Sequence, residues 1–593
     1  MGLKLITVLA AICANAVVGV ASAAPPVAAT ESGLVRGAIG DGVASWKGIP
    51  FAATTAGANR WRPPQPVAKW PGVRDATQYG HDCMQLPFGG DAAPLGTEPS
   101  EDCLVLNVWA PEHVAKGAKL PVIAWIYGGG FVNGGSSPPT YSGDRLARQG
   151  VVFVSFNYRI GRFGTYLLPQ LTAEATGEWP AGNYGFMDQL TALRWIKRNV
   201  AAFGGDPDNV TLIGESAGGA SVNTMLTSPM AKGLFDRSVV MSGGNGAVGG
   251  DDSRRRAQDA SLAFATAKGI PADDPQALAK LRALPGEAVV DKWNLACGWA
   301  PCQGALPPPG PFVDGQLAVD PAAAFAGGQF ARVPVMIGAT SDDIGGPTGY
   351  MVAGARDLAG TISATGVPVY EYRFAYVASS VGKPGAQHAA DIPFFFDTQT
   401  VKYGAQTSDR DRAMGRIISA YIVNFAKAGD PNGNGLANWP RYSRGADPIM
   451  AFAADGTALA GKDPLGGKFP VVLLADAVDQ NGADLTAAKA WLSLVDSSNW
   501  DQSWATAGTM FKANMPAAAT WTSANQKFRE PLGTVSSRAL RKVTRLSSLP
   551  NAPDGEYELL EFQTSFAQKS GATEIVFLAH EPSGWKVENY GIQ

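Results

Sequence analysis

The pentad Gly214-Glu215-Ser216-Ala217-Gly218 sets a serine between an apolar run, Val210-Thr211-Leu212-Ile213, and a helix-forming run from Ala220 to Leu226. A G-x-S-x-G between strand and helix is a nucleophile elbow. Its small flanking residues permit a sharp, strained turn that lifts the hydroxyl above the sheet edge. The helix start beneath it offers free N–H groups and a positive dipole end. A serine hydroxyl is a weak nucleophile by itself. Chemistry at Ser216 therefore demands a base, an acid to orient that base, and donors for a tetrahedral oxyanion.

On an elbow of this kind the chain order is serine, acid, histidine. Only His388 and His580 follow Ser216. His580 falls in a strand-like run near the C-terminus, whereas His388 falls in the loop Gly385-Ala386-Gln387-His388-Ala389-Ala390-Asp391, so His388 is the candidate base. The apolar run Val333 to Ile337 leads into Ser341-Asp342-Asp343, which delivers an acid after a strand. Chain order alone leaves Asp342 and Asp343 open. Tyr127-Gly128-Gly129-Gly130-Phe131 follows another apolar run and supplies a glycine turn. Its N–H groups can approach a substrate carbonyl without Cβ interference. Gly129, Gly130 and the N–H of Ala217 are the candidate oxyanion donors. No Cys/His cluster has zinc spacing among four histidines, so neither metal nor cofactor is expected.

These residues need a scaffold. From Thr30 to about Ala475, short apolar strands alternate with helical stretches such as Met187 to Phe203 and Arg410 to Ala428. Strands apolar throughout and separated by helices predict a mostly parallel sheet covered on both faces, the α/β-hydrolase type of architecture. After Asp479 the pattern becomes helices (Leu485 to Val495, Trp500 to Met510, Ala517 to Phe528) followed by strands at 535–546, 557–566, 574–580 and 585–590. That predicts a small α+β domain over 484–593, joined by a linker at 477–483 to a larger domain over 24–476. Trp500, Trp504, Trp521 and Trp585 of this domain read chiefly as core.

Residues 1–23 read as a cleaved signal peptide: Lys4, an apolar stretch from Leu5 to Val20, then Ala21-Ser22-Ala23. The mature chain is expected to be secreted or periplasmic, without a membrane anchor. Cys13 leaves with the signal, so Cys83, Cys103, Cys297 and Cys302 remain. An even number in an exported chain suggests two disulfides. Of three connectivities, Cys83–Cys103 with Cys297–Cys302 closes two local loops and is favoured. A net charge of −3 with 17% charged residues shows no footprint for nucleic-acid binding.

With these motifs assembled, the chain from about Glu31 to Phe452 resembles the type-B carboxylesterase/lipase family, which includes the cholinesterases. Matching segments are Glu31-Ser32-Gly33-Leu34-Val35-Arg36-Gly37, Lys47-Gly48-Ile49-Pro50-Phe51-Ala52, Glu101-Asp102-Cys103-Leu104-Val105-Leu106-Asn107-Val108 and Phe203 through Gly218. The resemblance implies Ser216 as nucleophile, His388 as base, Gly129, Gly130 and Ala217 as oxyanion donors, and Cys83–Cys103 as the family's first disulfide. The family's Asp-Glu pair is Asp342-Asp343 here, which points to Asp343 as the acid. Only 45 residues separate Asp343 from His388 (388 − 343), fewer than the family usually has, so a more open site is expected. The Cys83–Cys103 loop lacks the tryptophan with which cholinesterases hold quaternary ammonium, which argues against choline esters. The tail resembles an uncharacterised small domain of exported bacterial proteins through Ala490-Trp491-Leu492-Ser493-Leu494-Val495-Asp496 and Asp554-Gly555-Glu556-Tyr557.

The expected function is hydrolysis of small-molecule carboxylic esters through an acyl-enzyme. An amidase or lipase variant, or a catalytically silent adhesion protein on the same fold, is the alternative.

Overall fold

Strands made almost wholly of apolar residues can only be satisfied inside a sheet with both faces covered. The computed structural model describes residues 25–91, 93–246, 252–271, 273–300, 302–465, 478–547 and 555–592, and the backbone of 471–474. In it, these strands form an eleven-stranded sheet. From one edge, the order is Ala458–Lys462, Pro448–Phe452, Val369–Phe374, Val335–Thr340, Arg237–Met241, Gly205–Glu215, Leu120–Ile126, Val152–Phe156, Val105–Pro111, Val43–Pro50 and Ala38–Gly40. Pairing is parallel from Pro448–Phe452 through to Val152–Phe156. It is antiparallel at both ends. The sheet is thus mixed, with a parallel centre that carries the site.

Helix Ala217–Thr227 is buried on all sides, Tyr184–Asn199 is buried over most of its surface, and Asp409–Ala428 buries one face. Ser408 opens the last of these with a capping box: its hydroxyl accepts from Asp411 N–H while the Asp411 carboxylate accepts from Ser408 N–H. Gly429 closes it in the left-handed conformation, φ 72°. A separate three-stranded sheet, Val27–Thr30, Gly33–Arg36 and Val73–Asp75, lies near the N-terminus.

The tail is a meander. Strands Val535–Leu546, Tyr557–Phe566, Lys569–Glu581 and Gly584–Ile592 pair antiparallel in chain order. Helices Ala483–Asp496, Trp500–Thr506, Thr509–Asn514 and Ala518–Phe528 precede them. Two details differ from the sequence reading. The single helix expected over 500–510 is broken at Ala507-Gly508. There Gly508 N–H donates to Val587 O at 2.9 Å, and a Cβ on Gly508 would overlap the Glu588 carboxylate. Strand Val471–Leu474, inside the range assigned to the larger domain, pairs with Val535–Leu546 and so extends the tail sheet. Trp500 and Trp521 sit in the tail's apolar core, with Trp504 and Trp585 packed against it.

The proposed signal peptide lies outside the described residues, as does the first residue of the proposed linker. No helix among the described residues is long and apolar enough to cross a membrane. Both expected disulfides are formed, Cys83–Cys103 and Cys297–Cys302.

Candidate active site

Ser216 joins the end of strand Gly205–Glu215 to helix Ala217–Thr227 with φ 57° and ψ −121°. A non-glycine residue in that region is strained and persists only where its surroundings hold it. Ser216 N–H donates to Met241 O at 2.9 Å, and Ser216 O accepts from Ala220 N–H at 2.8 Å. The flanking glycines are steric necessities. A Cβ on Gly214 would collide with the carbonyl of Gly218, and one on Gly218 with that of Ile126.

His388 reaches this serine from the loop after strand Val369–Phe374. Its Nε2 lies 2.9 Å from Ser216 Oγ and its Nδ1 lies 2.6 Å from Asp343 Oδ1. The two adjacent acids have separate tasks. Asp343 Oδ1 also accepts from Ile344 N–H at 2.7 Å. Its Oδ2 accepts from Ser242 Oγ at 2.7 Å, Thr340 N–H at 3.1 Å and Thr340 Oγ at 2.9 Å. Asp342 instead accepts from Gln387 Nε2, and its N–H donates to Ala386 O at 2.9 Å. One acid meets the imidazole and the other ties down the loop that carries it.

Burial opposes ionisation of Asp343, but the hydrogen bond and charge of His388, with the Ser242 hydroxyl, outweigh it and hold the carboxyl below its usual value. Two further buried acids act on the imidazole through their charge. Burial pushes Glu215 up to about 8, against the pull of His388. Its Oε1 stands 3.3 Å from His388 Nε2. Burial, with the nearby Asp343 charge, pushes Asp391 up to about 7. Tyr372 OH donates to Asp391 Oδ2 at 3.2 Å. Burial alone would depress His388, but Glu215 and then Asp343 raise it above the ordinary imidazole value. Glu215, Ser242 and Asp391 escaped the sequence reading. Glu215 stood in the pentad as the variable residue, and Ser242 and Asp391 carry no motif.

The glycine turn has left-handed backbone at Gly129 (φ 105°) and Gly130 (φ 63°). A Cβ on Gly129 would overlap the carbonyl of Asn133. Among the described residues, no acceptor is found for the N–H groups of Gly129 and Gly130. Ala217, first in its helix, has no intrahelical acceptor for its own. The turn is braced from the Cys83–Cys103 loop. Gln85 Nε2 donates to Gly134 O at 2.7 Å, and Gln85 Oε1 accepts from Gly134 N–H at 2.9 Å and Asn133 Nδ2 at 3.0 Å. From the other side, Leu295 N–H donates to Asn133 Oδ1 at 2.7 Å. A cavity of about 190 Å³ lies against the histidine loop, lined by Ala378, Val381, Ala386, His388, Ile392 and Pro393 among others. No cluster of three or more His, Cys, Asp or Glu side chains among the described residues is arranged to hold a metal ion.

With a serine, imidazole and carboxylate in line on a strand-turn-helix, comparison with known proteins decides the family. Residues 24–355 and 347–463 match the model described as the carboxylesterase family. The chain belongs to the carboxylesterase family. It is a carboxylic ester hydrolase of α/β-hydrolase fold. Similar proteins include the fumonisin B1 esterase of Sphingopyxis macrogoltabida, 32% identical over 492 residues, spanning 72% of this chain and 86% of that protein. The para-nitrobenzyl esterase of Bacillus subtilis is 33% identical over 474 residues, spanning 70% and 92%. A solved thermophilic PNB esterase superposes on this carboxylesterase with a TM-score of 0.65 at 29% identity, covering 74% of this chain and 98% of its own. Residues 487–590 match a family described as a protein of unknown function (DUF4019).

Proposed function

We propose that the chain is an exported serine esterase that cleaves small-molecule carboxylic esters through an acyl-enzyme, with Ser216, His388 and Asp343 as its triad. The observation that carries this reading is the unbroken line from Ser216 Oγ through His388 to Asp343. His388 Nε2 takes the hydroxyl proton as Ser216 Oγ attacks the ester carbonyl. Asp343, its second oxygen held by Ser242 and Thr340, fixes the imidazole tautomer and stabilises the imidazolium. The N–H groups of Gly129, Gly130 and Ala217 receive the oxyanion. His388 then protonates the departing alcohol, and water repeats the cycle on the acyl-enzyme.

Export is supported by the leader pattern of residues 1–23 and by two disulfides, which persist in oxidising compartments. The test is Ser216→Ala. It should abolish hydrolysis of p-nitrophenyl butyrate and labelling by a fluorophosphonate probe; turnover that survives in the variant overturns the assignment.

A further inference from the structure

Strands Arg237–Met241 and Val335–Thr340 lead at their C-terminal ends into Ser242 and toward Asp343, and a second cavity lies at their N-terminal ends. It measures about 940 Å³, against about 190 Å³ for the one beside the histidine loop. Its lining comes from residues 226–236, where helix Ala217–Thr227 ends and strand Arg237–Met241 begins, and from residues 319–333, which lead into strand Val335–Thr340. Ala331 N–H donates to Leu226 O at 2.7 Å and ties the two stretches together. Ser216 precedes the other end of that helix, whose eleven residues span about 16 Å, so a molecule held in this cavity lies clear of the serine.

The inner lining is apolar. Leu226, Phe235 and Ala324 are buried there, and half-buried Phe330 packs on Phe325 with ring centroids 5.2 Å apart. Two exposed cations, Lys232 and Arg332, also line the cavity. Neither has a carboxylate partner among the described residues. The Lys232 ammonium makes no hydrogen bond or ion pair with them, and Arg332 donates to Thr365 O. The two acids of the lining are engaged by the main chain instead. Asp236 Oδ2 accepts from Val210 N–H at 2.9 Å, and Asp320 Oδ1 accepts from Ala323 N–H at 3.2 Å. The Asp236 charge also acts on its neighbour Arg237. An apolar cavity of this size with a few polar groups is the usual form of a small-molecule site, and the unpaired cations select the sign of the ligand.

We propose that this cavity is a second small-molecule site, separate from Ser216, for an organic anion: an apolar body that packs on Phe235 and Phe330 and carries a carboxylate to Lys232 and Arg332. The carboxylate meets cations that lack a counter-ion, so no ion pair has to break to admit it. Each hydrogen bond it accepts is charge-assisted. A cationic molecule of the same shape would bring its ammonium beside Lys232 and Arg332 and be repelled.

The experiment titrates the full-length protein calorimetrically with 4-phenylbutyrate and, separately, with 4-phenylbutylamine, which has the same apolar body and the opposite charge. The acid should bind about ten-fold or more tighter than the amine, because a hydrogen bond to a charged group is worth a factor of that size. Equal binding of the two, or no binding of the acid, overturns the proposal without any variant. Lys232→Glu with Arg332→Glu should weaken the acid by about ten-fold or more. Ala323→Trp, at an exposed helix position in the lining, should fill the cavity and abolish binding of the acid. Both variants should keep the wild-type kcat/KM on p-nitrophenyl butyrate, which shows that they are folded. Binding of the acid that persists undiminished in Ala323→Trp places it elsewhere and overturns the proposal too.

Discussion

Asp343 and Glu215 stand against the His388 imidazole, the charge of Asp391 also acts on it, and the three carboxyls sit in different environments. Asp343 is stabilised as an anion by the donors around it, whereas burial dominates at Glu215 and Asp391 and pushes both up. Asp343→Asn should lower kcat by about 10³-fold or more, because the amide favours the wrong imidazole tautomer. Asp342→Asn should cost at most a few-fold, the worth of its hydrogen bond to Gln387. Comparing kcat on p-nitrophenyl butyrate for the two variants decides between the adjacent acids. Glu215 raises His388 by its charge. The reaction needs the neutral imidazole, so activity should climb as pH rises through the raised His388 value. Glu215→Gln removes that negative charge and should move the acid limb of the kcat/KM pH profile to lower pH. An unmoved limb would show that Glu215 does not set the base.

Chain order, loop placement and glycine pattern make Ser216, His388, Gly129 and Gly130 legible in the sequence as candidates. The choice between Asp342 and Asp343 is not legible from order alone, because neighbouring residues in a turn point different ways according to backbone angles that sequence does not print. Ser242 is invisible for a related reason. Its hydroxyl reaches Asp343 only because strands Arg237–Met241 and Val335–Thr340 are parallel neighbours.

At the scale of elements, the site depends on loops braced against one another. Gln85 ties the glycine turn to the loop closed by Cys83–Cys103 through three hydrogen bonds. Gln85→Ala should therefore lower kcat while KM changes little, since small misplacement of donors aimed at the transition state costs about 10²-fold. Steady-state kinetics on p-nitrophenyl butyrate separates this from a loss of binding, which would raise KM. Apolar periodicity located the strands well, because a buried parallel strand must be apolar throughout. It failed at Ala507-Gly508, where the helix stops because a distant strand, through Val587 and Glu588, needs the space and the N–H groups. A break of tertiary origin leaves little local mark.

At the scale of the molecule, two apolar cores are separate. The larger gathers buried residues from Ala28 to Phe452, and the tail's gathers Val478 to Val587. A chain ending at Leu465, before strand Val471–Leu474, should fold and retain its kcat/KM on p-nitrophenyl butyrate; a large loss would assign the tail a part in the reaction. The sequence by itself determined the candidates for the chemistry: a serine on an elbow, a histidine and an acid in order, a glycine turn, and two local cysteine pairs. These are legible because each rests on residue type at short spacing, where steric and pKa demands leave few alternatives. Only the tertiary structure decided which aspartate meets His388, that Glu215 stands against the same ring and the Asp391 charge acts on it, and that strand Val471–Leu474 joins the tail sheet. Each of those depends on segments far apart in the chain, whose meeting is set by sheet order and packing rather than by any local pattern.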